Sequence, residues 1–258
     1  ALETAAAGGH NLLLHGPPGT GKTTLARRLV TILPPLDPTE ALEVTRIHSV
    51  VGLLSRERPL VDRRPFRSPH HSASVAAIVG GGSGPRPGEA TLAHRGVLFL
   101  DELPEFQRPV LEALRQPLED GEIAVARVGG RAVFPARFQL VASMNMCPCG
   151  GRGDAGVDCQ CSAQRLAAFR EKLSRALLDR FDVVVALPRP RAAELGGAAG
   201  EPSSAVASRV AAARRRLGGR PLERTEPATA LLDRAVECLP LSGRGRARVA
   251  RVARTVAA

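Results

Sequence analysis

The sequence of 258 residues contains no tryptophan and no tyrosine. Proteins that hold single-stranded nucleic acid by base stacking rely on such rings, so we expect no stacking-based or sequence-specific recognition of bases. Apolar runs long enough to form a transmembrane helix are also missing, which predicts no membrane partner. Lysine is nearly absent. Of the 36 basic side chains, only Lys22 and Lys172 are lysines, and the others are arginines.

What is present is typical of a globular protein, with 44% apolar and 24% charged residues. The net charge of +11 permits a polyanionic partner without proving one. We expect a cytoplasmic protein, in which five cysteines do not form a disulfide framework. The chain opens at Ala1 within a helical pattern, so we expect it to be a piece of a longer protein.

A glycine-rich motif near the amino end predicts a nucleotide site. It follows an apolar run at 11–15 and precedes a helical pattern, which is the context of a phosphate-binding P-loop. In such a loop the backbone N–H groups and the helix N-terminus hold phosphates, the lysine attracts the β- and γ-phosphates, and the hydroxyl ligates Mg²⁺. We predict that ATP and Mg²⁺ bind to Gly16, Pro17, Pro18, Gly19, Thr20, Gly21, Lys22, Thr23 and Thr24, with Thr23 as the magnesium ligand.

A carboxylate pair follows a second apolar run, at 97–100. Four consecutive apolar residues are typical of a strand that is buried on both faces of a parallel sheet. Asp101 and Glu102 at its end match a Walker B motif, in which Asp101 holds Mg²⁺ and Glu102 polarises the attacking water. The alternative is a surface pair that caps the next helix.

Apolar runs of strand length alternate with helical patterns as far as residue 187, which predicts an α/β fold with a central parallel sheet. Beyond residue 190 the composition shifts towards three helices. We therefore predict a P-loop ATPase core in residues 1–190 and a helical lid in residues 191–258. The expected elements are helices at 105–119, 164–179, 206–217, 228–239 and 244–256, a hairpin at 123–134, and strands at 138–143 and 183–187.

Several longer stretches resemble a known family, the magnesium-chelatase-like AAA+ ATPases of the ComM/YifB type. The similarity is dense from about residue 5 to residue 187 and thinner beyond. The stretches that carry it are residues 8–14, 33–36, 40–45, 64–74, 96–106 and 111–121, together with the P-loop.

The resemblance implies an AAA+ core with a helical lid, a hexameric ring of identical subunits, and ATP-driven movement on DNA. It also implies that Asn145 is the sensor-1 residue, which helps to orient the lytic water. Arg180 falls on the arginine finger that reaches the γ-phosphate of a neighbouring subunit, and Arg244 on the sensor-2 arginine, in cis or in trans. On its residues alone, Arg180 would be interpreted as a cation at a helix C-terminus.

The sequence also departs from that family. Members carry a Lon-like domain before the ATPase, which is missing here, and they continue the helix in which this chain ends. We therefore expect a lid that is truncated at its C-terminus. One alternative follows from this, namely a fragment that binds nucleotide and hydrolyses it poorly.

Four of the five cysteines form two C-x-C pairs that are nine residues apart. Cys147, Cys149, Cys159 and Cys161 could hold a structural Zn²⁺ in a tetrahedral thiolate site. The alternative is four reduced thiols without metal, because two residues between paired ligands are more usual. Cys238 lies in an apolar helical pattern and is expected in the core.

Two basic loops are candidates for contact with DNA phosphates. One is the hairpin tip with Arg127 and Arg131, and the other is the glycine-rich loop at 81–88 with Arg86. The alternative is a solvated basic hairpin. His70 and His71 are expected to be structural.

The leading functional prediction is an ATP-hydrolysing motor on DNA, a hexameric helicase or branch-migration ATPase of natural transformation. The alternative is the magnesium-chelatase ATPase subunit, which drives Mg²⁺ insertion into a porphyrin through a protein partner. The cysteine cluster and the stretch at 69–74 favour the first.

Overall fold

The computed structural model describes residues 1–82, 84–127, 130–191, 196–197, 200–218, 224–239 and 241–258, and only the backbone of Arg127. Its strands are β1 (Leu12–His15), β2 (Phe66–Arg67), β3 (Val97–Leu100), β4 (Glu122–Arg127), β5 (Gly130–Pro135), β6 (Gln139–Met144) and β7 (Val183–Ala186). Five of them form a parallel sheet in the order β2-β3-β6-β1-β7. β4 and β5 form a separate antiparallel hairpin.

Helices flank this sheet and connect its strands. Those before the hairpin are α1 (Leu2–Gly8), α2 (Lys22–Ile32), α3 (Pro38–Val50), α4 (Val75–Val79), α5 (Glu89–Leu92), α6 (Arg108–Ala113) and α7 (Arg115–Asp120). A 3₁₀ turn at Leu103–Glu105 precedes α6. The later helices are α8 (Ala163–Glu171), α9 (Arg175–Leu178), α10 (Ser203–Leu217), α11 (Glu226–Cys238) and α12 (Gly243–Ala257).

The central strands β1, β3 and β6 are buried on both faces of the sheet. Because successive side chains of a strand point to opposite faces, each of these strands contributes to two cores. Leu12 and Leu14 pack into a core with α1, α2 and α10, whereas Leu13 packs into a second core with α6 and the hairpin. β3 behaves in the same way, since Phe99 faces the first core and Leu98 the second. The predicted α/β fold with a parallel sheet and a helical C-terminal region is confirmed, and it is consistent with an AAA+ core.

Two predicted helices are each interrupted in the structure. The helix expected at 105–119 is divided into α6 and α7, because Pro117 has no N–H to donate to the carbonyl of Ala113. The helix expected at 164–179 ends at Glu171. A new helix, α9, begins after Ser174, whose Oγ accepts a hydrogen bond from the N–H of Leu177 at 3.2 Å. The two-residue strand β2 was not predicted.

The three C-terminal helices lie close to their predicted positions. α10 packs on α1 and α2 through Val210, which is fully buried. α12 reaches the segment between α1 and β1 through Thr255, whose hydroxyl is 2.8 Å from Nε2 of His10. The prediction that Cys238 is in the core was wrong, because α11 has no buried residue and Cys238 is exposed. The division of the chain near residue 190 stays a prediction.

Candidate nucleotide site

The P-loop turns sharply between β1 and α2 because its glycines adopt conformations that other residues avoid. Gly19 and Gly21 have positive φ angles of 78° and 82°. Gly16 has no room for a side chain, since a Cβ atom there would lie 2.1 Å from the carbonyl oxygen of Leu187. α2 then begins at Lys22 without a side-chain cap. The N–H groups of its first turn are therefore available to an anion.

Lys22 places a cation inside this loop. The residue is 8% exposed, and its Nζ donates hydrogen bonds to the carbonyl oxygens of Gly16 at 2.9 Å and Pro17 at 2.7 Å. A third bond, of 3.2 Å, runs to Oδ1 of Asn145. Burial lowers the pKa of Lys22, and two nearby carboxylates act against this shift. Thr20 Oγ1 closes the turn by donating to the carbonyl of Pro17 at 3.0 Å.

Asp101 lies beside Thr23. The Thr23 hydroxyl donates a hydrogen bond to Oδ2 of Asp101 at 2.9 Å, and the Ser143 hydroxyl donates to Oδ1. Hydroxyl and carboxylate oxygens are the kind of ligand that Mg²⁺ takes in nucleotide sites. These two residues therefore fit a magnesium ion. Ser143, the last but one residue of β6, has no counterpart in the sequence motifs and was missed.

Glu102 has a left-handed backbone conformation, with φ 53° and ψ 51°, which is uncommon for a residue with a side chain. Its N–H donates to Oγ of Ser143 at 3.2 Å, which fixes this turn. The carboxylate is 58% exposed and lies 3.6 Å from Nδ1 of His71. Glu102 is thus open to water, and His71, expected to be only structural, is its neighbour. No sequence pattern indicates this contact between distant loops.

The strand order explains why these distant residues meet. β3, β6 and β1 are neighbours and run parallel, so their carboxyl ends share one edge of the sheet. Asp101 follows β3, Asn145 follows β6, and Gly16 follows β1. The structure thus brings the P-loop, the acidic pair and Asn145 together within one chain. A cavity of about 540 Å³ opens beside Glu102 and Asn145.

Arg180 and Arg244 lie at the opposite edge of the sheet. Asn11, which immediately precedes β1, donates from Nδ2 to the carbonyl of Arg180 at 2.9 Å. The Arg180 side chain is 9% exposed, donates to the carbonyl of Ala176 at 2.9 Å, and pairs with Glu119. Nη1 of Arg244 lies 3.2 Å from the same Glu119 carboxylate. Neither arginine meets the P-loop of its own chain.

Both arginines line a cleft of about 890 Å³ beside α12. Other cations of this cleft are engaged within the chain. Arg248 donates to the carbonyl of Phe181 at 2.9 Å, and Nη2 of Arg251 lies 3.2 Å from Asp182. The cleft is therefore rich in arginine, and several of these side chains already have partners within the chain.

The four cysteines of the C-x-C pairs meet directly after β6. Sγ of Cys147 lies 3.4 Å from Sγ of Cys149 and 3.6 Å from Sγ of Cys159, and the latter two are 3.8 Å apart. With Cys161, all four sulfur atoms lie within 4.8 Å of one another. Zn–S bonds of about 2.3 Å place tetrahedral ligands about 3.8 Å apart, so this group could hold a metal ion.

The backbone favours the thiolate form at Cys149, whereas burial raises the pKa of Cys161. A hydrogen bond from the backbone of Gly151, followed by one from the Cys147 thiol, lowers the pKa of Cys149 to about 6. The N–H of Arg152 donates to Sγ of Cys147 at 3.3 Å. Metal ions bind the thiolate form, so both contacts suit a ligand role.

The two loops expected to contact DNA are described only in part. Residues 128–129 at the hairpin tip, the Arg127 side chain and Ser83 lie outside the described residues. Arg131 and Arg86 are both exposed. Their contact with DNA stays a prediction.

Comparison with known proteins identifies the family. The model of the family described as magnesium chelatase, subunit ChlI, matches residues 1–195. The chain belongs to this magnesium-chelatase-like family. Within the family it is of the ComM/YifB type, and membership supports an ATPase of the AAA+ kind.

Three relatives illustrate this membership. An uncharacterized protein of Mycobacterium tuberculosis is 57% identical over 215 residues, which cover 83% of this chain and 42% of the relative. The uncharacterized protein YifB of Salmonella typhimurium is 47% identical and covers 99% of this chain and 53% of its own length. The competence protein ComM of Haemophilus influenzae is 45% identical, with 100% and 53% covered. The chain thus spans about half the length of the curated relatives that it matches.

Among the helices in the described part of this magnesium-chelatase-like chain, none has the length and apolar character needed to cross a membrane.

Proposed function

We propose that this chain is the ATP-hydrolysing core of a ring-shaped motor that acts on DNA. The observation that carries the proposal is the hydrogen bond of 2.9 Å between Thr23 and Asp101, with the Lys22 ammonium in the adjacent loop. A hydroxyl, a carboxylate and a lysine in this arrangement suit a triphosphate with its Mg²⁺. Bound Mg²⁺ would supply charge neutralisation at the β- and γ-phosphates.

In this proposal different residues of the chain bind the phosphates, hold the metal and activate the attacking water. Lys22 and the N–H groups at the start of α2 bind and orient the phosphates, and Thr23 and Asp101 hold the metal. Glu102, with its exposed carboxylate, takes a proton from the attacking water, and Asn145 helps to orient that water. Asn145 is well placed for this role, since its Oδ1 accepts a bond from Lys22.

We propose that identical subunits assemble into a ring, a hexamer. In such a ring Arg180 and Arg244 would contact the nucleotide of a neighbouring subunit. Both lie at the sheet edge opposite the P-loop, so a neighbouring subunit's phosphates are the natural target. We propose that both arginines act in trans. Because the Arg180 side chain is only 9% exposed and pairs with Glu119, this pair must open when the neighbour docks.

The substrate side of the proposal is non-sequence-specific DNA. The name of the competence protein among the relatives favours DNA over a porphyrin. The absence of Trp and Tyr, which would stack on bases, favours contact with phosphates over recognition of sequence. Replacing Arg127 and Arg131 with Ala should weaken DNA binding and reduce the slope of log K against log salt by about 1.4 for single strands. Arg234→Ala, an exposed arginine of α11, is the control.

The test is the ATPase rate of the full-length protein with no DNA, with single-stranded DNA and with forked DNA. Stimulation by either DNA supports the motor. A measurable basal rate that neither DNA changes would contradict it, and would direct attention to a protein partner, as in magnesium chelatase.

We also propose that the four cysteines hold one structural Zn²⁺. The sulfur atoms of Cys147, Cys149 and Cys159 are 3.4 to 3.8 Å apart, close to the spacing of tetrahedral ligands, and Sγ of Cys161 lies within 4.8 Å of all three. Metal analysis of protein purified without chelator tests this. Zinc well below one per chain, with the four cluster thiols titratable in addition to Cys238, would refute it.

A further inference from the structure

The cysteine cluster is joined directly to the nucleotide site along the chain. Asn145, which accepts a hydrogen bond from Lys22, is separated from Cys147 by a single residue. Cys147 is fully buried and lines the same cavity of about 540 Å³ as Glu102. Because only two peptide bonds join them, the position of Cys147 restricts where Asn145 can lie beside the P-loop.

The loop between the cysteine pairs also touches the P-loop through space. Gly150 has a positive φ of 78°, and a Cβ atom there would lie 3.0 Å from Cδ and 3.1 Å from Cγ of Pro18. The backbone of the cysteine loop thus packs closely against a residue of the phosphate-binding loop, and a side chain at this position would require Pro18 to shift.

A third attachment lies on the far side of the P-loop. The carboxylate of Asp154, whose side chain is 2% exposed, accepts hydrogen bonds from Nε and Nη2 of Arg189 at 2.9 Å and 2.5 Å. Arg189 comes two residues after Leu187, whose carbonyl oxygen abuts Gly16. The cysteine loop is therefore fastened to both flanks of the P-loop.

The loop has no apolar core of its own. Residues 145–162 contain no helix or strand, Met146 is only half-buried, and Val157 is 47% exposed. A loop without a core needs another source of order, and a metal ion bound by four thiolates supplies it. The four sulfur atoms already lie within 4.8 Å of one another.

We propose that the metal held by Cys147, Cys149, Cys159 and Cys161 positions Asn145 and the P-loop, so that its occupancy sets the affinity for nucleotide. This inference rests on the nucleotide binding and the zinc site proposed above. The four cysteines are positioning residues, since they touch neither phosphate nor water in this scheme. If metal loss leaves about one molecule in ten with an ordered pocket, the apparent affinity falls about tenfold.

The experiment compares the zinc-loaded chain with the same preparation after treatment with a chelator selective for zinc over magnesium, and after zinc is restored. Zinc content is measured by mass spectrometry and affinity with a fluorescent ATP analogue in constant Mg²⁺. We expect about one zinc per chain, a roughly tenfold weaker affinity after its removal, and recovery on reloading. Hydrogen exchange at residues 16–24 should quicken without zinc, which tests the positioning independently of nucleotide.

Three variants distinguish a failure of this inference from a failure of the proposed nucleotide site. Cys149→Ser should lose zinc and affinity together, Cys238→Ser should keep both, and Lys22→Met should lose affinity but keep zinc. Binding of nucleotide that is unchanged by zinc removal, with unchanged exchange at 16–24, overturns the inference and leaves the nucleotide site intact. A zinc-loaded chain that binds no nucleotide overturns the proposed function instead, and the exchange data then decide whether zinc orders the loop.

Discussion

Replacement of Lys22 by methionine separates the binding of nucleotide from the stability of the fold. Methionine has nearly the length of lysine but no charge, so it fills the same buried space. The lysine is 8% exposed, and burial lowers its pKa. Keeping the ammonium group protonated in the folded state therefore lowers the free energy of unfolding. Its three hydrogen bonds, to Gly16, Pro17 and Asn145, act in the other direction.

These two effects oppose each other in the nucleotide-free protein. We therefore expect Lys22→Met to change the free energy of unfolding by about 1 kcal/mol or less, which corresponds to about 2–4 °C in Tm for a chain of this size. The effect on ligand binding is larger. At about 4 Å and an effective dielectric constant of about 20, one ammonium–phosphate attraction amounts to about 4 kcal/mol before desolvation. Loss of about half of that weakens affinity about 30-fold.

The assay is thermal unfolding with and without ATP·Mg²⁺ at about 100 times the wild-type Kd. Ligand at that concentration stabilises the wild type by about 2.7 kcal/mol, or about 5–10 °C. In Lys22→Met the same concentration should stabilise by about 0.9 kcal/mol, or about 2–3 °C. Arg27→Met removes one exposed cation from the same helix and should keep the full shift. A full shift in Lys22→Met would refute the phosphate-binding role of this lysine.

Three further predictions address catalysis, assembly and pH. Glu102→Gln should reduce ATP hydrolysis about 10²–10⁴-fold and leave nucleotide affinity unchanged in phosphate-release and binding assays, and an equal fall in both would contradict its role as a base. Arg180→Ala should lose hydrolysis about 10³–10⁵-fold, and mixing it with Glu102→Gln subunits should restore part of the rate, since each supplies what the other lacks at shared interfaces; no recovery would contradict action in trans. Hydrogen bonds from Arg95 at 2.8 Å and His94 at 3.1 Å lower the pKa of Glu43 to about 2, so its stabilisation is present above about pH 4.5 and is lost as the pH falls towards 2. Because this carboxylate is 37% exposed, Glu43→Gln should lower the free energy of unfolding at pH 7 by about 1 kcal/mol at most, and the difference should shrink in urea titrations at lower pH; a difference that stays constant with pH would contradict the pairing.

The parts of the fold that sequence could predict are those governed by local patterns. Continuous apolar runs such as 97–100 indicate buried parallel strands, and parallel strands place their carboxyl ends at one edge. The meeting of the P-loop with Asp101 follows from that geometry, although the chemical roles of these residues stay predictions. The glycine motif likewise contains its own turn, since Gly19 and Gly21 adopt the positive φ angles that it needs.

The rest depends on contacts between segments that are distant in sequence. Nothing local indicates that Glu119 lies between Arg180 and Arg244, or that His71 approaches Glu102. The two-residue strand β2 is too short for a pattern. A local pattern can also mislead. The apolar periodicity of α11 predicts a buried Cys238, whereas no described residue of this helix is buried.

The interior of the cysteine loop was equally beyond sequence reasoning. Spacing alone left zinc and free thiols open, and it is the clustering of the four sulfur atoms that favours metal. The contact of Gly150 with Pro18 depends on how two loops pack, which no residue pattern encodes.

The most direct test of a nucleotide site between Lys22 and the acidic pair is a crystal structure with a non-hydrolysable ATP analogue and Mg²⁺. We predict the β- and γ-phosphates within hydrogen-bond distance of Lys22 Nζ and of the N–H groups at the start of α2. Mg²⁺ should lie about 2.1 Å from Oγ1 of Thr23, with Asp101 in its coordination sphere directly or through water. An analogue bound elsewhere on the chain, with Lys22 still bonded to the carbonyls of Gly16 and Pro17, would contradict the proposal.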